Sequence, residues 1–225
     1  MDTAFYYVDK DYIDFLKKYE IKYRGFTCVP NTQYSLGEKF LFGIVLSVCG
    51  ANYYVPVSSK IKRSANNMVI RLHKKKKYQD VGTLRFAYMI PVPHKMLIRV
   101  EIGEIKDYSR NQLVRDELAF CRRNIHKITQ QAEKTYNALT NSSEQKILKN
   151  ACDFKLLEKA YNEYSALLPY YLKTSAEGVE LLRQNKIDFE VRPSTKNSEM
   201  FVVKLKTSDE PQAQAILSTI KPLIK

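Results

Sequence analysis

Residues 39–62, KFLFGIVLSVCGANYYVPVSSKIK, decide how the rest of the chain can fold. Two runs rich in β-branched and aromatic residues, 40–49 and 53–57, flank Gly50. This pattern predicts a buried antiparallel hairpin with a glycine-bearing turn. Pro56 has no backbone N–H to donate, so we expect the second strand to end there.

Two hydroxyls and two ammonium groups follow this hairpin at once, on Ser58, Ser59, Lys60 and Lys62. A rigid strand pair that delivers such groups to a loop can hold a phosphate, because the scaffold fixes their geometry. An ordinary polar loop after a core strand would contain the same residue types. The hairpin by itself leaves both interpretations open.

The composition indicates a folded protein with a polyanionic partner. The chain has 225 residues, of which 44% are hydrophobic, and a formal net charge of +13. Such an excess favours nucleic acid or an anionic membrane surface as partner. No apolar run approaches the roughly 20 residues that span a bilayer, and no secretory signal is visible at the N-terminus. We therefore expect a cytoplasmic protein with no membrane partner.

The cysteines do not form a metal-binding or disulfide pattern. Cys28, Cys49, Cys121 and Cys152 are widely spaced, with no CxxC or CxxH pair. Three of them fall within apolar segments, where a free cysteine behaves as a small hydrophobic residue. We expect reduced thiols and no metal site.

Periodicity predicts an α+β fold. We expect these elements in the main body: a strand over 4–8, a helix over 10–19, a loop over 20–38, the hairpin, a long basic loop over 58–80, strands over 84–92 and 96–102, one long helix over 108–139, and a helix that begins at Asp153. About five strands, mainly antiparallel, suit a small barrel or a curled sheet.

The last part of the chain differs in character. Residues 172–225 contain nine Lys and Arg against seven Asp and Glu, so nearly all the excess positive charge lies in residues 1–171. A helix, two strands and a second helix are predicted, over 175–184, 187–191, 200–206 and 211–220. The sequence thus predicts a main domain over 1–171 and a small α-β-β-α module of unknown role over 172–225.

Several stretches resemble the ToxN/AbiQ family, the endoribonuclease toxins of type III toxin–antitoxin and phage-exclusion systems. They lie within residues 4–165 and read FYYVDKDYIDFLKKY, FLFGIVLSVCGANYYVPVSS, LRFAYMIPV, DELAFCRRNIHKI and CDFKLLEKAY. The resemblance implies a strongly curved antiparallel sheet or barrel of the Kid/MazF type, with added helices. Residues 172–225 lie outside it.

The resemblance also implies an activity. Members of the family cleave RNA without a metal or another cofactor and leave 2′,3′-cyclic phosphate and 5′-hydroxyl ends. They are inhibited by a repeated pseudoknot RNA antitoxin, which they process themselves, and protein and RNA assemble into closed rings. We therefore expect a phage-defence (abortive infection) toxin whose substrates are cellular or phage mRNA.

The family pattern places the catalytic residues on this chain. Ser58 and Ser59 match its hydroxyl pair, Lys39 its lysine before the first hairpin strand, and Tyr34 its loop tyrosine. Ser59 would bond a phosphate oxygen or relay a proton, with Ser58 in support, and Lys39 would transfer a proton. Tyr34 would stack on a base or orient the 2′-OH. Where the family has a further lysine this chain has Ile61, so either Lys60 or Lys62 takes that role or the role is absent.

A wider set of basic residues is predicted to bind RNA. It comprises Lys60, Lys62, Arg63, Arg71, His73, Lys74, Lys75, Lys76, Lys77, Arg115, Arg122, Arg123 and Lys127. His73 is also an alternative general base, ranked below the Ser/Lys set. Two rival classes remain: a non-catalytic RNA-binding module, and an RNase toxin restrained by a protein partner or by its own C-terminal module.

Overall fold

The computed structural model of the chain describes residues 3–31, 39–74, 77–141, 149–195 and 199–219. It divides into two compact units, Met1–Tyr161 and Asn162–Lys225. This boundary lies ahead of the one expected between residues 171 and 172.

The first unit contains a seven-stranded sheet whose pairings are all antiparallel. Its strands are β1 (Ala4–Val8), β2 (Leu41–Val48), β3 (Ala51–Ser58), β4 (Asn67–Lys74), β5 (Lys77–Arg85), β6 (Ile90–Pro91) and β7 (Leu97–Arg99). The order is β4-β5-β3-β2-β1-β7, with β6 also paired to β3. The described strands form an open sheet in which the outer strands β4 and β7 do not pair with each other, so the α+β class is right and the closed barrel is not found.

The central hairpin has the predicted form. Strands β2 and β3 are joined by a turn in which Cys49 and Gly50 take positive φ values of 50° and 78°. Gly50 is therefore needed for its conformation, since side chains with a Cβ disfavour this region. The prediction for Pro56 was wrong, because it pairs with Leu41 inside the ladder and β3 continues to Ser58.

The prediction of a long basic loop over 58–80 was also wrong for the second half of that range. Strands β4 and β5 form a long hairpin there, with Asn67 opposite Arg85 and Lys74 opposite Lys77. The strand expected over 84–92 is divided, because a 3-10 turn at Phe86–Tyr88 separates β5 from β6.

Four helices complete the described part of the first unit, and the last of them continues into the second. They are α1 (Lys10–Arg24), α2 (Tyr108–Arg123), α3 (Ile125–Thr140) and α4 (Phe154–Leu167). The Asp9 carboxylate caps α1 by accepting from the backbone N–H of Asp11 at 2.9 Å and of Tyr12 at 3.1 Å. Helix α1 is longer than expected, because residues 20–24, assigned to a loop, continue it to the cap at Gly25.

The single helix predicted over 108–139 is two helices. Asn124 interrupts it with its side-chain amide, which donates to the Phe120 carbonyl oxygen at 2.9 Å. A local side-chain bond of this kind competes with helical hydrogen bonding. The predicted apolar stripe is buried on both helices except at Ile125, which is half-buried.

The second unit is a small α/β module with its own core. It contains β8 (Pro169–Ser175), α5 (Ala176–Gln184), β9 (Phe189–Pro193), β10 (Met200–Lys206) and α6 (Glu210–Leu217). Its sheet has the order β8-β10-β9. The α-β-β-α prediction missed β8, since Pro169 begins a strand rather than ending the preceding region.

A buried glutamate joins three segments of the first unit. The Glu20 carboxylate has no exposed surface and pairs with Arg24 on the next turn of α1. It also accepts from the backbone N–H of Cys28 at 2.6 Å and of Asp153 at 3.0 Å. Charge-assisted hydrogen bonds of this kind are the strong ones. Glu20 thereby fixes the chain that leaves α1 and the residues just before α4.

Replacing Glu20 should destabilise the first unit. Glu20→Ala removes the carboxylate that pairs with Arg24 and accepts from three backbone N–H groups, those of Cys28, Val29 and Asp153. This costs about 3 kcal/mol and lowers Tm by roughly 6–12 °C. Thermal unfolding followed by circular dichroism measures this. Glu133→Ala, on the exposed face of α3, is the matched control and should melt like the wild type. Equal Tm values for the two variants would contradict this account.

Candidate functional site

Strand pairing brings Lys39 to the end of β3. The β2–β3 register places Leu41 opposite Pro56, and the Val57 N–H donates to the Phe40 carbonyl oxygen at 3.2 Å. Lys39 directly precedes Phe40 and Ser58 directly follows Val57, so this bond brings the start of the first strand close to the end of the second. Lys39 is half-buried and Ser58 is 5% exposed.

The other edge of β3 adds a third strand to this place. Ser58 pairs there with Thr83 of β5, whose side chain is fully buried. The Thr83 hydroxyl oxygen accepts from the Lys62 N–H at 3.2 Å, and the Ser58 hydroxyl oxygen accepts from the Lys60 N–H at 3.2 Å. These bonds hold the loop after β3 against the strand ends. Ser59 is exposed within this loop.

We call this group the hairpin-end site and define it as Lys39, Ser58, Ser59, Lys60, Lys62 and Thr83. Lys60 and Lys62 are exposed, as is Ser59, so two ammonium groups and one hydroxyl of the loop face solvent. The site thus offers hydroxyl groups and cations together, which is the combination that binds and protonates phosphate oxygens.

A buried carboxylate lies behind the site. Glu117 of α2 is 6% exposed. A Cβ built on Gly82 would stand 3.0 Å from the Glu117 Oε1 atom and 3.3 Å from the Ser58 carbonyl oxygen, so the glycine permits this close approach. Sequence reasoning missed Glu117 and Thr83. Glu117 could have been found, because it lies between Val114 and Cys121 on the apolar stripe of the helix, where a carboxylate is out of place.

Some predicted site residues lie outside the described residues. These are Tyr34, Lys75 and Lys76. Lys74 is the last residue of β4 and Lys77 the first residue of β5, where Lys77 is exposed.

The β4–β5 hairpin and the loop before it carry part of the basic set, but two of these cations are paired. Arg63 and Arg71 both bond to the Asp80 carboxylate, Arg71 through Nε at 2.7 Å. The hydrogen bond from Arg71 holds the pKa of Asp80 below its usual value. His73 is exposed, and its ring meets the edge of Tyr78 with the ring centroids 5.1 Å apart. Tyr78 is 74% exposed, so it presents an aromatic face beside the cations.

The remaining basic residues lie on the helices. Arg115, Arg122 and Arg123 are exposed on α2, and Lys127 is exposed on α3. The three arginines share a cavity with Arg99 of β7. They therefore form a group separate in sequence and structure from the hairpin-end site.

The described ranges contain no group of three His, Cys, Asp or Glu side chains that could hold a metal ion. Within the same ranges, every helix is too short or too polar to span a bilayer.

Comparison with known proteins shows to which family the first unit is related. The profile of a family described as toxin ToxN of the type III toxin–antitoxin system matches residues 4–162. The chain belongs to this family. The matched residues include the whole hairpin-end site, and the match ends at the boundary between the two units.

Two curated members of the family are similar over most of their length. The endoribonuclease ToxN of Bacillus thuringiensis subsp. kurstaki is 27% identical over 191 residues, which cover 81% of this chain and 95% of the relative. The endoribonuclease AbiQ of Lactococcus lactis subsp. lactis is 28% identical over 175 residues, which cover 73% and 91%.

Two solved structures of the family have the same fold. One is AbiQ, a lactococcal anti-phage endoribonuclease of a type III system, with 26% identity, a TM-score of 0.60 and coverage of 73% of this chain and 99% of its own. The other concerns a type III toxin selectively inhibited by a non-coding RNA pseudoknot, with 25% identity, a TM-score of 0.61 and coverage of 73% and 98%. In both, the likeness covers most of this chain and nearly all of the neighbour.

The loop of the hairpin-end site should loosen when its buried acceptor is removed. Thr83→Val keeps the shape of the side chain but leaves the Lys62 N–H without a partner, which costs about 1–2 kcal/mol locally. Trypsin should then cut after Lys60 and Lys62 about tenfold faster, because the open state becomes more populated. Mass spectrometry of the early fragments measures this rate.

Thr83→Ser retains the hydroxyl and is the matched control, with cleavage close to the wild-type rate. Equal early cutting of the Val and Ser variants would show that the Thr83 hydroxyl does not hold the loop.

Proposed function

We propose that the chain is a metal-independent endoribonuclease, the toxin of a type III toxin–antitoxin system that acts in phage defence in the cytoplasm. Family membership and the two curated endoribonuclease relatives support the activity. The observation that carries the proposal is the backbone bond between Phe40 and Val57, the neighbours of Lys39 and Ser58, together with the binding of the lysine-bearing loop to Thr83.

The reaction suits these groups. The ribose 2′-OH is the nucleophile and attacks the adjacent phosphorus, so the P–O5′ bond breaks and a 2′,3′-cyclic phosphate and a 5′-hydroxyl form. The 2′-OH must lose a proton and the 5′-oxygen must gain one, while negative charge gathers on the phosphorane oxygens. Lys39 transfers one of these protons, and Ser59 bonds a non-bridging oxygen. Ser58, whose hydroxyl accepts from the Lys60 N–H, positions Ser59.

Lys62 is the better of the two candidates for the phosphate-binding lysine. Its backbone is held at both polar groups, because its N–H donates to Thr83 and its carbonyl oxygen accepts from the Asn67 side chain at 2.9 Å. Among the described residues, the Lys60 backbone makes one hydrogen bond, from its N–H to the Ser58 hydroxyl oxygen. A fixed backbone reduces the conformational freedom that the ammonium group must lose when it contacts the scissile phosphate. We therefore assign to Lys62 the ammonium group that contacts the scissile phosphate.

The partner that restrains this activity is a pseudoknot RNA antitoxin. A related type III toxin is selectively inhibited by a non-coding RNA pseudoknot. The net charge of +13 and the exposed cations of the β4–β5 hairpin and α2 favour a polyanion. Exposed Tyr78 gives a face on which an unpaired base can stack. Repeats of this RNA and the protein would close into a hetero-oligomeric ring, and cellular or phage mRNA would be the substrate.

Replacing the proposed catalytic groups should abolish cleavage. Ser59→Ala removes the donor to the phosphorane oxygen and Lys39→Ala removes the proton-transfer group, so each should lower the rate by about 10²–10⁴-fold. Cleavage of single-stranded RNA in EDTA is followed on denaturing gels. RNA affinity, measured by fluorescence anisotropy at fixed salt, should remain within about threefold of wild type for Ser59→Ala, which removes no charge.

Ser64→Ala, in the same exposed loop, and Lys134→Ala, on the exposed face of α3, are matched controls. Both should cleave at the wild-type rate. Full activity in Ser59→Ala or Lys39→Ala removes that residue from the mechanism. RNA binding by the wild type without any cleavage in EDTA would instead favour the non-catalytic RNA-binding module.

A further inference from the structure

A cavity of about 590 Å³ lies in the first unit, between α2 and the strands β1 and β7. Four arginines line it: Arg99 of β7, and Arg115, Arg122 and Arg123 of α2. Its volume falls in the range of small-molecule sites, and it is large enough for one nucleotide. No residue of the hairpin-end site lines it.

The charge of this cavity is largely uncompensated. Among the described residues, no carboxylate oxygen forms an ion pair within 4.0 Å of a side-chain nitrogen of these four arginines. Glu101 is the one acidic residue in the lining, so four guanidinium groups face one carboxylate. Holding like charges together without a counter-ion is unfavourable, and an anionic ligand would relieve it.

Two of the guanidinium groups are held in position through their Nε atoms. Arg122 donates to the Thr3 carbonyl oxygen at 2.9 Å, and Arg115 donates to the Asn111 side-chain oxygen at 2.7 Å. Each guanidinium has five N–H donors, so the terminal groups remain for a ligand. Pre-positioned arginines bind phosphate oxygens in pairs, with little further loss of side-chain freedom.

The wall between these arginines is apolar. Leu118 and Ala119 lie one turn after Arg115 and one turn before Arg122, and both line the cavity. A site for inorganic phosphate alone would need no apolar wall. Guanidinium planes and an apolar wall together suit a flat base as well as its phosphate, and the Glu101 carboxylate can accept from a base amino group or a ribose hydroxyl.

We propose that this cavity binds one unstacked nucleotide of an RNA chain, away from the site of scission. The arginines hold its phosphate and stack on its base, and the α2 wall covers the other face of the base. This inference rests on the proposed function, since it assigns a second contact for RNA bound by the same protein. The cavity thus adds affinity and fixes the register of the RNA, and it takes no part in the chemistry.

The test compares two double variants that each remove two positive charges. Arg99→Gln/Arg123→Gln changes the two cavity arginines whose side chains make no hydrogen bond or ion pair with the described residues. Arg110→Gln/Lys134→Gln changes exposed cations of α2 and α3 outside the cavity. The probe is a fluorescein-labelled single-stranded 2′-fluoro RNA of mixed sequence, which lacks the 2′-OH needed for cleavage.

The cavity variant should bind this RNA about tenfold more weakly than wild type, and the control variant less than about threefold. In calorimetry, a mixture of the four ribonucleoside 3′-monophosphates should bind the cavity variant about tenfold more weakly than the wild type, and inorganic phosphate should bind the wild type much more weakly than the nucleotides do. Circular dichroism and Tm confirm that both variants fold.

Equal losses of RNA affinity in the two variants would overturn the proposal, because they would indicate diffuse electrostatic attraction. So would equal binding of phosphate and nucleotides, or a cavity that binds a polyglutamate peptide in preference to RNA. The measurement uses RNA that cannot be cleaved, so its outcome does not depend on the proposed nuclease activity. Normal cleavage of ordinary RNA together with equal RNA affinity of the cavity variant and the wild type would contradict this inference and leave the proposed function intact.

Discussion

The structure depends on strand β3 being paired along both of its edges. Strand β2 occupies one edge, and β5 and β6 occupy the other, so the end of β3 cannot shift without breaking two ladders at once. Ser58 and Thr83 face each other across one of these ladders, and Lys39 directly precedes Phe40, whose carbonyl oxygen bonds to β3. A site formed by the register of paired strands is more exactly fixed than one formed by a loop, which is what proton transfer to a phosphate ester requires.

Local signals were sufficient for the elements on which this arrangement is based. The apolar runs on either side of Gly50 predicted the hairpin, and the periodicity over 10–19 predicted the first helix and its start. The family pattern selected Lys39 and Ser58, which are nineteen positions apart in the sequence, and a backbone bond joins their neighbours Phe40 and Val57. Their catalytic roles remain a proposal.

Features that depend on tertiary partners could not be read from the sequence. The lysine-rich sequence near residue 75 did not predict the β4–β5 hairpin. Lysines are poor strand formers, and whether they pair is decided by the partner strand. Asn124 gave no clear helix stop, since asparagine is tolerated within helices. The cavity forms because Arg99, at the end of a three-residue strand, lies beside α2. No local sequence pattern links these two parts of the chain.

The central claim is that hydroxyl and ammonium groups at the strand ends promote attack by the ribose 2′-OH without a metal. A single 2′-deoxy substitution at the cleaved nucleotide of a substrate RNA tests it most directly, with the reaction run in EDTA and the products weighed by mass spectrometry. The account predicts that the all-ribose RNA gives a 2′,3′-cyclic phosphate end and that the substituted position is not cut. Cleavage at the deoxy position, or a requirement for a divalent cation, would contradict it.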